Sequence, residues 1–187
     1  MLLIQPPELD SLEPAVRTVY ETGKVSHAHF DELRKALTRF PPVLLAADGM
    51  YDLIVGQGRL DSHLKEAMIV ACSAVRNCTY GVAAHSRRLI SGGSTPDEVQ
   101  RLAQGEPLAI HSEADQALLS FSRKVAAAPY KTVEGDIESL RRAGFDERTI
   151  IEALTVVSLS GWMNGYALAL GLDQNDAVPL SGGNPWP

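Results

Sequence analysis

From Ala153 to Leu172 the chain runs ALTVVSLSGWMNGYALALGL, 20 residues without a charge. Such a stretch needs cover on most of its surface, which restricts the architectures open to the whole chain. Its length would suffice for a membrane span, and Gly161-x-x-x-Gly165 would let a second helix approach closely. Thr155, Ser158, Ser160, Asn164 and Tyr166 interrupt it with polar groups, however, and no basic cluster follows. Most of the remaining chain is amphipathic. The run is therefore read as a helix buried in a core or at a subunit interface, and no membrane partner is expected.

The rest of the chain supplies helical cover. Ser11 precedes LEPAVRTVYETG, and Ser26 precedes HAHFDELRKALTRF, read as a single helix that Pro41-Pro42 ends. Pro42 opens VLLAADGMYDLIVGQG, and Asp61 or Ser62 caps HLKEAMIVACSAVRN. After a break at Asn77-Cys78, TYGVAAHSRRLI runs to Ser91-Gly92-Gly93. Thr95, Pro96 and Glu98 form a capping box, Ser112 with Asp115 caps the next helix, Thr132 begins another, and Asp146 starts the long uncharged one. No sustained apolar–polar alternation marks a strand. The reading is all-α: a single-domain helical bundle of about eight or nine helices over residues 1–172. Residues 173–187, with the lone Trp186, form a tail or an arm docking on a neighbouring subunit.

Composition removes several functions. A net charge of −6 argues against nucleic acid and anionic membrane surfaces as partners. Two cysteines in 187 residues make neither a disulfide framework nor a structural zinc set. MLLIQPPELD has no basic n-region, so the default setting is reducing and cytoplasmic.

The candidate chemistry lies in EAMIVACSAVRNCTYGVAAH. At about 100° per residue, Cys78, Gly81 and His85 share one helix face. Cys78 also lies at a helix start, where free N–H groups favour a thiolate. Glu66, 12 residues earlier, can fold back towards that face if the two helices form a hairpin. Thiol, imidazole and carboxylate would then converge as nucleophile and proton carriers. The alternative is a small buried cysteine, a hydrogen-bonded histidine and a surface glutamate. Cys72 sits among Ile69, Val70, Ala71 and Val75 and reads as core. His27 and His29 are expected on the surface, as is His111. A metal site of His63, Glu66 and His85 is conceivable but not preferred, so no metal is expected. Arg87 and Arg88 read as a solvated face or as holders of an acidic substrate.

The Glu66–Cys78–His85 spacing, the frame LKEAMIVACSAVRNCTYGVAAHSRRL, the downstream helices and the MNGYALALGLD ending resemble the carboxymuconolactone decarboxylase and alkylhydroperoxidase D-like superfamily. The layout over roughly residues 25–173 is most similar to its peroxidase-related branch. The resemblance implies catalytic roles for Glu66, Cys78 and His85. It sets the family's second, peroxide-attacking cysteine at Gly81 and a further histidine at Tyr80, both possible substrate-contacting positions. With Gly81 no Cys-x-x-Cys disulfide can form, so peroxidase action on an organic hydroperoxide would need Cys78 alone and an external thiol. The resemblance also allows a decarboxylase-like lyase acting on a small lactone acid through His85 and Glu66, or a non-catalytic relative. It implies no cofactor, and a homo-oligomer, commonly a trimer or hexamer.

Overall fold

The helix-start chemistry of the sequence is reproduced in space. Asp61 accepts from the His63 and Leu64 amides, Thr95 and Glu98 close a capping box, Ser112 and Asp115 close another, and Asp146 accepts from the Thr149 amide. Each satisfies N–H groups that an uncapped helix leaves open. The computed structural model describes residues 2–108 and 110–172; the tail from 173 onward, with Trp186, lies outside them. Among the described residues are nine α-helices and no strand. In chain order they are α1 (Pro14–Gly23), α2 (Asp31–Leu37), α3 (Pro41–Gly56), α4 (Ser62–Val75), α5 (Thr79–Ser91), α6 (Pro96–Gln104), α7 (Glu113–Ala127), α8 (Glu134–Arg142) and α9 (Glu147–Leu170). The all-α expectation holds.

The most enclosed helix is α4. Every residue from Lys65 to Ser73 is buried, because α5, α6, α7 and α9 all pack around it. Its small residues Ala67, Ala71, Cys72 and Ser73 let those neighbours come close. Helix α9, which carries the uncharged run, is covered on one side only within the chain. Ala153, Val156, Val157, Ser160, Met163, Asn164 and Ala167 face inward, whereas Ile151, Thr155, Ser158 and Leu168 face out. On that outer face the Thr155 and Ser158 hydroxyls return to the carbonyls of Ile151 and Leu154, both at 2.8 Å.

One sequence expectation fails, with a large consequence. The stretch from His27 to Phe40 is not one helix: residues 28–30 form a 3₁₀ turn, Phe30 leaves the helical region at φ −129°, and only Asp31–Leu37 are α-helical. Arg34 drives the break. Its guanidinium is fully buried, donating to Asp48 twice at 2.8 Å and to the Tyr20 carbonyl at 3.0 Å. A Cβ at Gly23 would meet Arg34 Nη2 at 2.3 Å and Asp48 Oδ2 at 2.6 Å, so glycine makes room for this pair. The turn swings both histidines inward. His27 and His29 are buried rather than on the surface, and His27 Nε2 lies 2.9 Å from Asp52 Oδ1. His111 is half-buried rather than exposed.

A second buried charge ties the connection between α3 and α4 to α9. Lys65 Nζ lies 2.6 Å from Glu152 Oε1 and donates to the carbonyls of Ile54 and Gln57. Glu152 also accepts from the amides of Arg59 and Leu60. Removing one member of such a pair leaves the other charged, dry and unpaired. Glu152→Ala is expected to lower the unfolding free energy by about 3 kcal/mol, read from the urea midpoint, with Glu152→Gln losing less.

Candidate active site

α4 and α5 form the hairpin that the sequence anticipated, with Asn77 at φ +55° in the turn between them. The hairpin brings Glu66 and His85 together: His85 Nδ1 lies 2.7 Å from Glu66 Oε2, and both residues are buried. Glu66 Oε1 accepts from the Tyr51 hydroxyl at 2.5 Å and from Arg88 Nε at 3.3 Å. Tyr51 comes from α3, while Arg88 stands one helical turn after His85 on α5. His29, turned inward by the break before α2, completes the group. Its ring lies 5.3 Å from that of His85 and 5.0 Å from that of Tyr51, between centroids.

The charges follow from this packing. Burial alone would raise the Glu66 carboxyl, but the hydrogen bond and charge of His85, with Tyr51 and His29, outweigh it and hold the group well below the usual carboxylate range. Glu66 is thus ionised in a dry site. His29 is lowered as well: burial and the neighbouring His85 push it down to about 2, which for a base leaves a neutral ring at neutral pH. The Tyr51 phenol is pushed up by burial and by the charge of Glu66, so it remains a donor.

Cys78 lies elsewhere. It caps α5, and its Sγ accepts from the Gly81 amide at 3.4 Å. No hydrogen bond joins it to Glu66 or His85, which is seven residues further along α5. Burial raises its thiol, and the Gly81 amide and Arg76 only partly offset that. Cys72 is core, as expected, and burial pushes it up to about 12. Tyr80 is buried and its hydroxyl accepts from the Leu33 amide at 3.2 Å, pinning the start of α2 onto α5.

Gly81 stands one turn before His85, and its missing side chain is accounted for. A Cβ there would meet Asn164 Oδ1 at 2.5 Å and Ser73 Oγ at 2.7 Å. Those two atoms are themselves 3.1 Å apart, and Asn164 Nδ2 donates to Ser160 at 3.2 Å. Polar groups from α4 and α9 therefore fill the place of a side chain at 81.

Two surface depressions lead to the buried group, one on each side of Arg88. The first, about 260 Å³, is lined by Val25, Ser26, His29, Arg87 and Arg88; the second, about 250 Å³, by His63, Glu66, Arg88 and Gly92. Arg88, half exposed, forms a wall of both. His63 sits at the rim with its Nε2 3.0 Å from the Ser94 hydroxyl. A larger cavity of about 320 Å³ between α6 and α7 shares no residue with this group. Sequence reading missed Tyr51 and misplaced His29. Neither lies at a regular spacing from Glu66, and only the tertiary path of α2 and α3 brings them in.

Comparison with known proteins agrees with this architecture. A sequence model of the carboxymuconolactone decarboxylase family matches residues 41–120, the segment that holds α3, α4, α5 and α6. A peroxidase-related protein from Ralstonia eutropha JMP134 with an alkylhydroperoxidase AhpD core superposes with TM-score 0.79 at 25% identity, covering 90% of each chain. A peroxidase-related protein from Silicibacter sp. TM1040 gives TM-score 0.78 at 24% identity, over 91% of this chain and 90% of that one. A debrominase, solved with 2,3,4-tribromopyrrole, shares the fold with TM-score 0.78 at 17% identity, over the same shares of the two chains. No curated protein sequence matches the chain. Residues 41–120 thus carry the sequence pattern of the carboxymuconolactone decarboxylase family, and the fold is that of alkylhydroperoxidase D-like proteins.

Two predictions follow from these positions. His29 has a folded-state pKa below its unfolded value, so the unfolded chain binds its proton first as pH falls below about 6.5. Glu66, also depressed, adds the same sense of change below about 4.5. Unfolding free energy should therefore fall on acidification, and His29→Gln should flatten the part of that decline between about pH 6 and 5, measured by urea titrations at fixed pH. Gly81→Cys should destabilise the fold by about 1–3 kcal/mol, since its side chain must displace Ser73 and Asn164. Thermal unfolding, with Ser73→Ala as partial relief, checks the second.

Proposed function

We propose that this chain is an acid–base enzyme of the decarboxylase type, acting on a small carboxylate-bearing molecule. The observation that carries the reading is the buried 2.7 Å contact between His85 Nδ1 and Glu66 Oε2, beside depressions walled by Arg88. Glu66 fixes the imidazole through Nδ1, so the other ring nitrogen is the one free to exchange a proton. Arg88, and Arg87 on the same rim, would hold a substrate carboxylate as charge-assisted donors.

In that reaction a carboxylate leaves as CO₂, and the electron pair of the broken C–C bond stays on the substrate as an enolate. His85 delivers a proton to the carbon, and the Glu66 carboxylate stabilises the charged ring while it holds that proton. The arrangement carries the proton without a thiol, which suits Cys78 being held by the Gly81 amide with its thiol raised.

A second reading retains Cys78 as a lone-thiol peroxidase towards organic hydroperoxides. Its support is the position of the sulfur at the N-terminus of α5, where amides favour the thiolate. The two readings separate in one experiment: turnover of small lactone acids, and of organic hydroperoxides with added thiol, by wild type, His85→Ala and Cys78→Ser. The acid–base reading expects His85→Ala to lose about 10²–10⁴-fold in lactone-acid turnover, with Cys78→Ser largely unaffected. Peroxide turnover that vanishes in Cys78→Ser, with no lactone-acid turnover in any form, overturns it in favour of the thiol.

A further inference from the structure

His29 has a role in neither reaction, yet its placement is specific. It is 8% exposed, and its Nε2 is buried without a hydrogen-bond partner. An unpaired buried imidazole nitrogen is a cost that native structures seldom carry without a reason. Its ring packs edge-on against Phe30 and His85 and beside Tyr51, a cage that fixes its direction. A ring nitrogen of His29, a carboxylate oxygen of Glu66 and a ring nitrogen of His85 lie within 4.8 Å of one another.

We propose that His29, Glu66 and His85 bind a single divalent transition-metal ion of the zinc class. Two imidazoles and one carboxylate are a donor set that such ions take, with one or more positions left open. A common ion with bonds of about 2.1 Å sets its donor atoms roughly 3.4 Å apart, a spacing that small side-chain adjustments reach from a group already within 4.8 Å. The carboxylate is already ionised and His29 already neutral, which are the states a metal needs. Tyr51, donating to Glu66, orients that ligand from behind. The open positions face the two depressions beside Arg88.

Arg88 is the opposing charge. Its Nε is the longest of the contacts to Glu66, at 3.3 Å, and its side chain is half exposed, so it can swing out as the ion enters. Bound metal takes Glu66 and His85 out of proton transfer. Metal occupancy and acid–base work are therefore alternative states of one pocket. The proposal concerns the same residues as the proposed function, but rests on donor geometry and is read by binding rather than turnover.

The test uses the full chain stripped with a chelator and titrated with Co²⁺, followed by its visible absorption, and with Zn²⁺ by calorimetry. One ion per chain is expected, with a rise in Tm and tighter binding in Arg88→Gln, which lacks the competing cation. His29→Ala and His85→Ala should each weaken binding by about tenfold or more. Should His29→Ala unfold, His29→Gln takes its place, with circular dichroism confirming the fold. Absence of saturable binding, or binding that His29 substitution leaves unchanged, overturns the proposal. Lactone-acid turnover lost in His85→Ala without metal binding would leave the acid–base reading standing and this one refuted. Metal binding without any such turnover would do the reverse.

Discussion

The constraint that organises this structure is the enclosure of α4. A helix covered by α5, α6, α7 and α9 from Lys65 to Ser73 has no solvent side, so the two charged residues in that stretch must find partners inside the protein. Lys65 turns to Glu152 of α9, and Glu66, the next residue, turns to His85 of α5 and Tyr51 of α3. One pair locks the α3–α4 connection in place. The other, beside Arg88, reaches the surface. The same physical demand, matching a charge removed from water, yields a structural clamp in one direction and a candidate reactive site in the other, because only Glu66 lies next to depressions that admit a small molecule.

The environment then sorts the groups by role. The hydrogen bonds of His85 and Tyr51 keep Glu66 charged despite burial, whereas burial and the neighbouring His85 keep His29, unpartnered at Nε2, neutral. A charged acid beside a neutral base, both strongly shifted, is typical of sites where proton affinity matters. Cys78 has a helix-start amide but no charge close enough to overcome its burial. Its position at the start of α5 suggests reactivity; its surroundings do not.

Much of this was legible in the sequence, and for identifiable reasons. Caps are local, so Asp61, Thr95, Ser112 and Asp146 announced their helices correctly. The Glu66–His85 meeting followed from two helices joined by a turn too short to do anything but reverse. Within the chain α9 is covered on one face, because an uncharged run says that a helix can be covered but not by how much; Thr155 and Ser158 satisfy themselves on its outer face. The inward turn of His29 was illegible. It depends on Arg34 reaching Asp48 on another helix, and helical periodicity gives no sign that a guanidinium will be fully buried.

The Ser73–Asn164 contact over Gly81 also has a bearing on how this chain can change. Position 81 is not an empty seat awaiting a thiol, since side chains from two other helices already occupy it. A sequence that gained a cysteine there would have to displace a serine on α4 and an asparagine on α9, and the Asn164 bond to Ser160 would be disturbed as well. Each step alone leaves either a collision or a stranded polar group in the core. Dithiol chemistry would therefore ask this protein to rearrange two buried polar side chains as well as to gain a cysteine, whereas changes on the rim around Arg88 meet no such packing.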